Sequence, residues 1–414
     1  MYALRRHLQL NQTTADGKID ALRVKVNRES IVYDSFRQLA TLERAQMMKK
    51  TQVQFVGEAR RDSAELWHWP AQNKKRCVAR LHGPESHFAR GEQRSALHFM
   101  SCKVGIDSGG ILKEWYLELS SQLFDPQYCL FVKSESGLYD IDPRSGVNGS
   151  HLEYFHFFGR LLAKAIFDRQ MVDLPLCKVL YKHILGIKPR LSDLKDIDQT
   201  YHRSLTWMKD NDITGVIMET FTVMRDEFGV MREIELCEGG KDREVTEENK
   251  GAYIQKMIEW HTGAGTKEQL EKFLAGFWDI IPMKKIQVFT PTELESLMCG
   301  KQRINVDEMR VCTQYTGGYE DSSPPVELFW TVFAKLDDAE RREVIRYTTG
   351  SSRVPLDGFE PCFTITKGES MDGHALPTAH TCFNQLVLPP FDAEGILSEK
   401  LKFAIAHGEG FHMS

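Results

Sequence analysis

LPTAHTCFNQLVLPP, residues 376–390, joins a polar loop to a short apolar strand with a cysteine at the junction. NQLVL alternates with the period of two that a half-buried strand requires, and Pro389 and Pro390 end it because neither can donate to a ladder. The loop before it ends at Cys382, with His380 two residues earlier and His374 further back. A thiol on an exposed loop beside a histidine ionises more readily than a buried one, since a nearby positive or donating group favours the charged form. Spacing alone leaves two readings open: a nucleophile, or a half-buried cysteine at a strand edge.

Working outward, CFTIT (362–366) alternates as a second strand. VELFWTVFAKL (326–336) and DDAERREVIRYTTG (337–350) repeat at helical spacing, the second opening on an aspartate and closing on Gly350. LSEKLKFAIAHG (397–408) predicts a last helix with Gly408 as its stop. These elements predict a small α/β domain at the C-terminal end. Before it, QYTGGYEDSSPP (314–325) is rich in Gly, Ser and Pro, so regular structure should stop there and the backbone can pivot.

The N-terminal part has a different texture. ALRVKVNRESI reads as a strand into a turn and YDSFRQLATL as a helix, so the opening is mixed α/β. After the turn GIDSGG, the residues Ile111, Trp115, Leu119 and Leu123 recur every four positions on one helical face. HLEYFHFFGRLLAKAIF (151–167) is apolar on all sides, as a helix buried in a core is. A second helical group spans about 192–300; in it Leu270, Phe273, Leu274, Phe277 and Ile281 form one stripe before Pro282. That stripe packs a core or receives a partner loop.

A chain of 414 residues exceeds the roughly 250–300 that a single core organises, so more than one body is expected. Apolar residues at 42%, charged residues at 27% and a net charge of −5 fit an ordinary globular chain and give no basic footprint for nucleic acid. Protein partners are expected, with no nucleic acid and no membrane. The nine cysteines contain no CxxC pair and are odd in number, which reads as reduced thiols in the cytoplasm or nucleus. No apolar run reaches the roughly 18 residues of a membrane span, and MYALRRHLQLN lacks the pattern of a signal peptide.

LPTAHTCFNQL matches the active-site motif of the HECT-type ubiquitin-protein ligases almost letter for letter, and TGSSRVPLDGF (349–359) resembles the stretch that precedes it. GIDSGGILKEW, HLEYFHFFGRLLAKAIFD, SLTWMKDNDITG, VTEENKGAYI, FLAGFWDIIP, ELESLMCG and TQYTGGY resemble further landmarks of that family in its order. The resemblance implies an α+β, bilobal HECT domain, with a larger, mainly helical N-lobe joined by a flexible hinge to a smaller α/β C-lobe. The N-lobe would cover 1–315 with a conjugating-enzyme docking subdomain at about 192–300, the hinge 316–319, and the C-lobe 320–414.

The implied activity is ubiquitin transfer: Cys382 takes ubiquitin as a thioester from a ubiquitin-conjugating enzyme, then passes it to the acceptor lysine of a protein substrate, with no metal or organic cofactor. His380 would orient the thioester or help deprotonate the lysine, or else bond backbone as a loop histidine does. Thr381 would donate to the developing oxyanion or stabilise the turn. The resemblance assigns Phe411, fourth from the end, to isopeptide formation, and Arg353 to seating the C-lobe or to ordinary surface. Leu205, Met208, Phe273 and Phe277 are candidates for the docking groove, or for core.

Three departures from the family stand out. About 45 residues, 59–104, intervene where the family runs almost directly from FVGE to GIDSGG; they carry nine Lys/Arg against four Asp/Glu. They read as a basic binding loop, a disordered excursion or an intron translated in frame. The loop between GFEP and CFTI is shorter than usual, and Lys113 replaces an arginine. The alternative function is therefore a catalytically impaired HECT-like interaction scaffold; a cysteine protease is disfavoured because no separate His and Asn motif accompanies the cysteine.

Overall fold

The structure, a computed structural model, describes residues 21–56, 110–172, 174–227, 229–301, 303–368 and 375–407. The basic segment 59–104, His374, Gly408 and Phe411 lie outside the described residues.

The first lobe opens with β1 (Ala21–Val26), α1 (Ile31–Leu39) and β2 (Lys50–Phe55). The strands pair in parallel from Ala21 opposite Lys50 to Val26 opposite Phe55, and α1 supplies the crossover that parallel strands need. α2 (Gly110–Gln122) follows and buries Leu112, Trp115, Tyr116 and Leu119. The every-four row starting at Ile111 is corrected here: Ile111 is exposed, because a helix of 3.6 residues per turn carries such a row round its axis.

After the hairpin of β3 (Phe131–Lys133) and β4 (Tyr139–Ile141) comes α3 (His151–Asp168), which is buried almost continuously from Tyr154 to Phe167. Its two buried cations are occupied. Arg160 donates to the carbonyls of Leu39, Ala40 and Leu42 at and just beyond the end of α1. Lys164 donates to Lys49 O at 2.7 Å and to Asp168 at 2.6 Å, and Asp168 also accepts from Thr51 and Tyr116. Burial alone would expel these charges; paired and hydrogen-bonded, they tie α3 to β2 and α2.

Beyond α4 (Lys178–Ile184) the chain leaves this core to build α5 (Gln199–Asp210), the antiparallel hairpin β5 (Thr222–Glu227) and β6 (Val230–Glu235), and α6 (Lys250–His261). These elements have a separate core that includes Leu194, Leu205, Met208, Phe221, Tyr253 and Ile258. α7 (Lys267–Ile280) and α8 (Pro291–Cys299) then return to the large core. α7 lies directly on α3, where a Cβ on Gly159 would stand 2.0 Å from Phe273 O, and one on Gly276 2.0 Å from His156 O.

The docking assignments are corrected accordingly. Phe273 and Phe277 are fully buried in the large core, with Phe273 against Phe158 at 5.6 Å between ring centroids. Leu205 and Met208 fill the small core. None of the four lines a groove, and the subdomain ends near Trp260 rather than at 300.

The second lobe comprises α9 (Val306–Val311), β7 (Gln314–Thr316), α10 (Pro324–Lys335), α11 (Asp338–Thr349), β8 (Thr364–Lys367), β9 (Thr378–His380), β10 (Gln385–Leu388) and α12 (Glu394–His407). Its sheet runs β7-β8-β10-β9, with β8 parallel to both neighbours and β9 antiparallel to β10. The capping expected for 337–350 is present: Asp337 accepts from Ala339 N and Glu340 N, Glu340 reaches back, and Gly350 takes φ +75°.

The expected hinge differs from the observed one. β7 belongs to the second lobe's sheet, Tyr319 is buried with its hydroxyl on Leu388 O, and Ile304 and Met309 join that lobe's core. The change of core falls between Cys299 and Ile304, not at 316–319. Composition marked where the backbone bends, at Gly317 and Gly318 with φ +67° and +92°, but strand pairing with distant residues decided which body those residues join.

Candidate functional site

β9 and β10 pair antiparallel with His380 opposite Gln385, leaving only four residues to turn the chain. Thr381–Phe383 form one 3-10 turn, and Asn384 closes it in the left-handed region, φ +49°, donating its N–H to Thr381 O at 3.3 Å. Asparagine tolerates that region better than most residues. Cys382 stands exposed in this turn with Phe383 beside it, also exposed. Asn384 anchors it from beneath: its amide donates to Pro361 O at 2.7 Å, and its carbonyl accepts from Thr364 N on β8.

The environment separates Cys382 from the other described thiols. Burial pushes Cys177 and Cys299 up, so both resist ionisation. Cys312, Cys362 and Cys382 are exposed, but only Cys382 sits in a turn bounded by histidine and threonine. His380 is exposed at the end of β9. Thr381 accepts the bond that closes the turn. Among the described residues no group of three or more His, Cys, Asp or Glu is gathered as metal ligands.

The turn also meets the other lobe. A Cβ on Gly110, at the start of α2, would lie 2.8 Å from Cys382 Sγ, so the absence of a side chain there lets the nucleophile approach. One helical turn on, Lys113 donates to Thr349 O, the last residue of α11, and to Asn384 Oδ1 at 3.2 Å. Burial lowers its pKa to about 8, opposed by the nearby Cys382. Further contacts between the lobes are Arg353 to Glu295 at 3.8 Å, Arg169 to Glu360 at 3.7 Å, and Lys301 N to Val354 O at 2.8 Å.

Sequence reading missed Asn384 and gave Lys113 only the weight of a charge; the contact between them joins residues 271 positions apart. In the small subdomain it singled out Leu205 and Met208, which point into the core, and passed over the exposed apolar side chains. Trp207 on α5 and Met218 are exposed, and the register pairs Met224 with Glu233 and Met231 with Asp226, which sets both methionines on the outward face of the hairpin. A residue pattern of apolar, solvent-facing positions opposite Val223 and Ile234 was the available signal.

Comparison with known proteins agrees with this geometry. The HECT-domain (ubiquitin-transferase) model matches residues 117–414, which include Cys382 and its turn. The probable E3 ubiquitin-protein ligase hulA of Aspergillus flavus is 40% identical over 317 residues, 74% of this chain and 39% of that protein. The E3 ubiquitin-protein ligase RSP5 of Emericella nidulans is 40% identical over 74% of this chain and 38% of its own length, and TOM1 of Saccharomyces cerevisiae 39% identical over 75% and 10%. The chain thus spans less than two-fifths of the first of these relatives' length and a tenth of the last. With more than half of its residues matched, and with the α+β fold already described, the chain belongs to the HECT-domain (ubiquitin-transferase) family.

Proposed function

We propose that this chain is the catalytic part of an E3 ubiquitin ligase acting in the cytoplasm or nucleus, with Cys382 as the ubiquitin acceptor. The observation that carries the reading is the exposed Cys382 in a braced turn, facing a second lobe, inside the region matched to the family. In the first step the Cys382 sulfur attacks the carbonyl carbon of the glycyl thioester on a conjugating enzyme. The new C–S bond forms, the old one breaks, and the conjugating enzyme's sulfur leaves with the proton that Cys382 gave up. In the second step a substrate lysine amine attacks the same carbon. A C–N bond forms, Cys382 leaves as thiolate, and the amine's proton passes to water or His380. A thiol suits the relay because it is partly ionised near neutral pH and is strongly nucleophilic. Thioester exchange is close to isoenergetic and the amide is more stable, so no further energy source is required.

The conjugating enzyme is assigned to the outward face of the small subdomain, around Trp207, Met224 and Met231, since interface anchors are large apolar side chains. The test is incubation with activating enzyme, conjugating enzyme, ATP and ubiquitin. A reductant-sensitive adduct that disappears in Cys382→Ala is expected. Its absence from the wild-type chain would favour the interaction scaffold instead.

A further inference from the structure

We propose that Lys113 is a positioning residue for the second transfer, fastening the nucleophile turn to the start of α2 and so fixing Cys382 in the arrangement from which ubiquitin is discharged. The inference rests on the ligase reading above. Its ground is the convergence of three contacts from one lobe on the nucleophile turn of the other and on the helix end packed behind it. The Lys113 ammonium meets Thr349 O at the carboxyl end of α11, where helix carbonyls lack intrahelical partners and the macrodipole is negative. The same ammonium holds Asn384 Oδ1, and Asn384 is the left-handed residue that closes the Cys382 turn. Gly110, three residues before Lys113, lets Sγ approach the backbone of α2, since a Cβ there would stand 2.8 Å from it, while Cys382 stays exposed on its other side.

One cation therefore grips both the helix behind the nucleophile and the residue two positions after it, which closes its turn. A thioester on a loosely held lobe offers its carbonyl to an incoming amine in many orientations; holding it in one raises the rate of attack. The turn's polar contacts run to α2 and to its own lobe, whereas the conjugating enzyme is assigned to the separate core of the small subdomain. Lys113 thus acts after loading.

The test is a single-turnover pulse–chase on the full chain. Cys382 is loaded with fluorescent ubiquitin, ATP is removed, and a lysine-containing peptide is added. In Lys113→Met, loading within about threefold of wild type and discharge slower by about tenfold or more are expected, the scale of a misplaced reacting group. Lys113→Arg should restore most of the discharge rate, since a guanidinium can donate to both oxygens. Gly110→Ala replaces a poor helix former with a good one, yet its Cβ would displace Sγ, so it should show the same selective loss. Normal discharge in both Lys113→Met and Gly110→Ala overturns the proposal, as does an equal loss of loading and discharge. Solution scattering of the unloaded chain reads the contact without ubiquitin: Lys113→Met should broaden the distance distribution and Lys113→Arg should not, and identical curves overturn the proposal. A wild-type chain that never loads counts against the ligase reading instead, and scattering then decides the contact by itself.

Discussion

Arg353, in the loop after α11, sets its guanidinium 3.8 Å from Glu295 on α8, with the two side chains 16% and 12% exposed. The pair links two separate hydrophobic cores, at a point where Lys301 N also donates to Val354 O. A charge left in so dry a place without its counter-ion is costly, so the two residues should be coupled. A double-mutant cycle with Arg353→Met and Glu295→Gln, followed by urea unfolding, should give an interaction energy of about 1–2 kcal/mol. Additive single mutants would assign the seating of the lobes to the backbone bond.

The docking face can be separated from the core beneath it. Met231→Glu places a charge on the outward face of the hairpin and should raise the conjugating-enzyme concentration for half-maximal loading by about tenfold, the loss of one anchor worth some 1.4 kcal/mol, with melting unchanged. Met208→Ala opens a cavity in the small core and should destabilise by about 2–4 kcal/mol. Loading by Met231→Glu that matches wild type at every concentration would place the partner elsewhere.

Where α3 crosses α7, the sequence supplied two glycines and the fold uses both. Gly159→Ala or Gly276→Ala would drive a methyl group to 2.0 Å from a backbone carbonyl oxygen of the facing helix. The helices must separate, and a loss of about 3 kcal/mol or more is expected, at or beyond the upper end for overpacking. Gly251→Ala on α6, whose Cβ would meet nothing within 4 Å, should instead stabilise by about 0.5 kcal/mol. Calorimetry on the three variants checks the contrast; equal effects would mean that the helix crossing relaxes freely.

How much of this was legible depends on how local each signal is. The all-round apolar run of 151–167 declared a buried helix, and Asp337 and Gly350 marked the ends of α11, because burial pattern and caps are written within a few residues. The stripe holding Phe273 and Phe277 declared an apolar face but not its occupant; only Gly159 and Gly276, more than a hundred residues apart, reveal that α3 covers it. QYTGGYEDSSPP showed a bend, while its membership of the second lobe depended on pairing with β8. Cys382 stood out by resemblance and by its polar loop. Lys113 and Asn384 did not, since the contact that joins them spans 271 positions of sequence.

Lys113 gives the two-lobe contact a pH dependence whose sign follows from burial. With the lobes together its pKa is lowered to about 8 from 10.5, desolvation outweighing the opposing pull of Cys382. With the lobes apart the ammonium regains water and its ordinary value. Below pH 8 both forms carry the proton and closure bears the full desolvation cost. Between 8 and 10.5 the open form keeps a proton that the closed form has shed, so rising pH favours closure; above that window both are neutral and the effect saturates. The unfolded chain resembles the open form, so unfolding free energy should climb across the same window. Of the neighbouring groups, Glu114 is engaged by Arg28, Arg353 lies beside Glu295 and Arg169 beside Glu360, and Cys382 itself is removed by measuring in Cys382→Ser. Scattering at pH 7.5 and 10, values chosen to bracket about 8, should show the open fraction falling in Cys382→Ser and staying level when Lys113→Arg is added. Opening with rising pH would contradict the burial of Lys113 between the lobes.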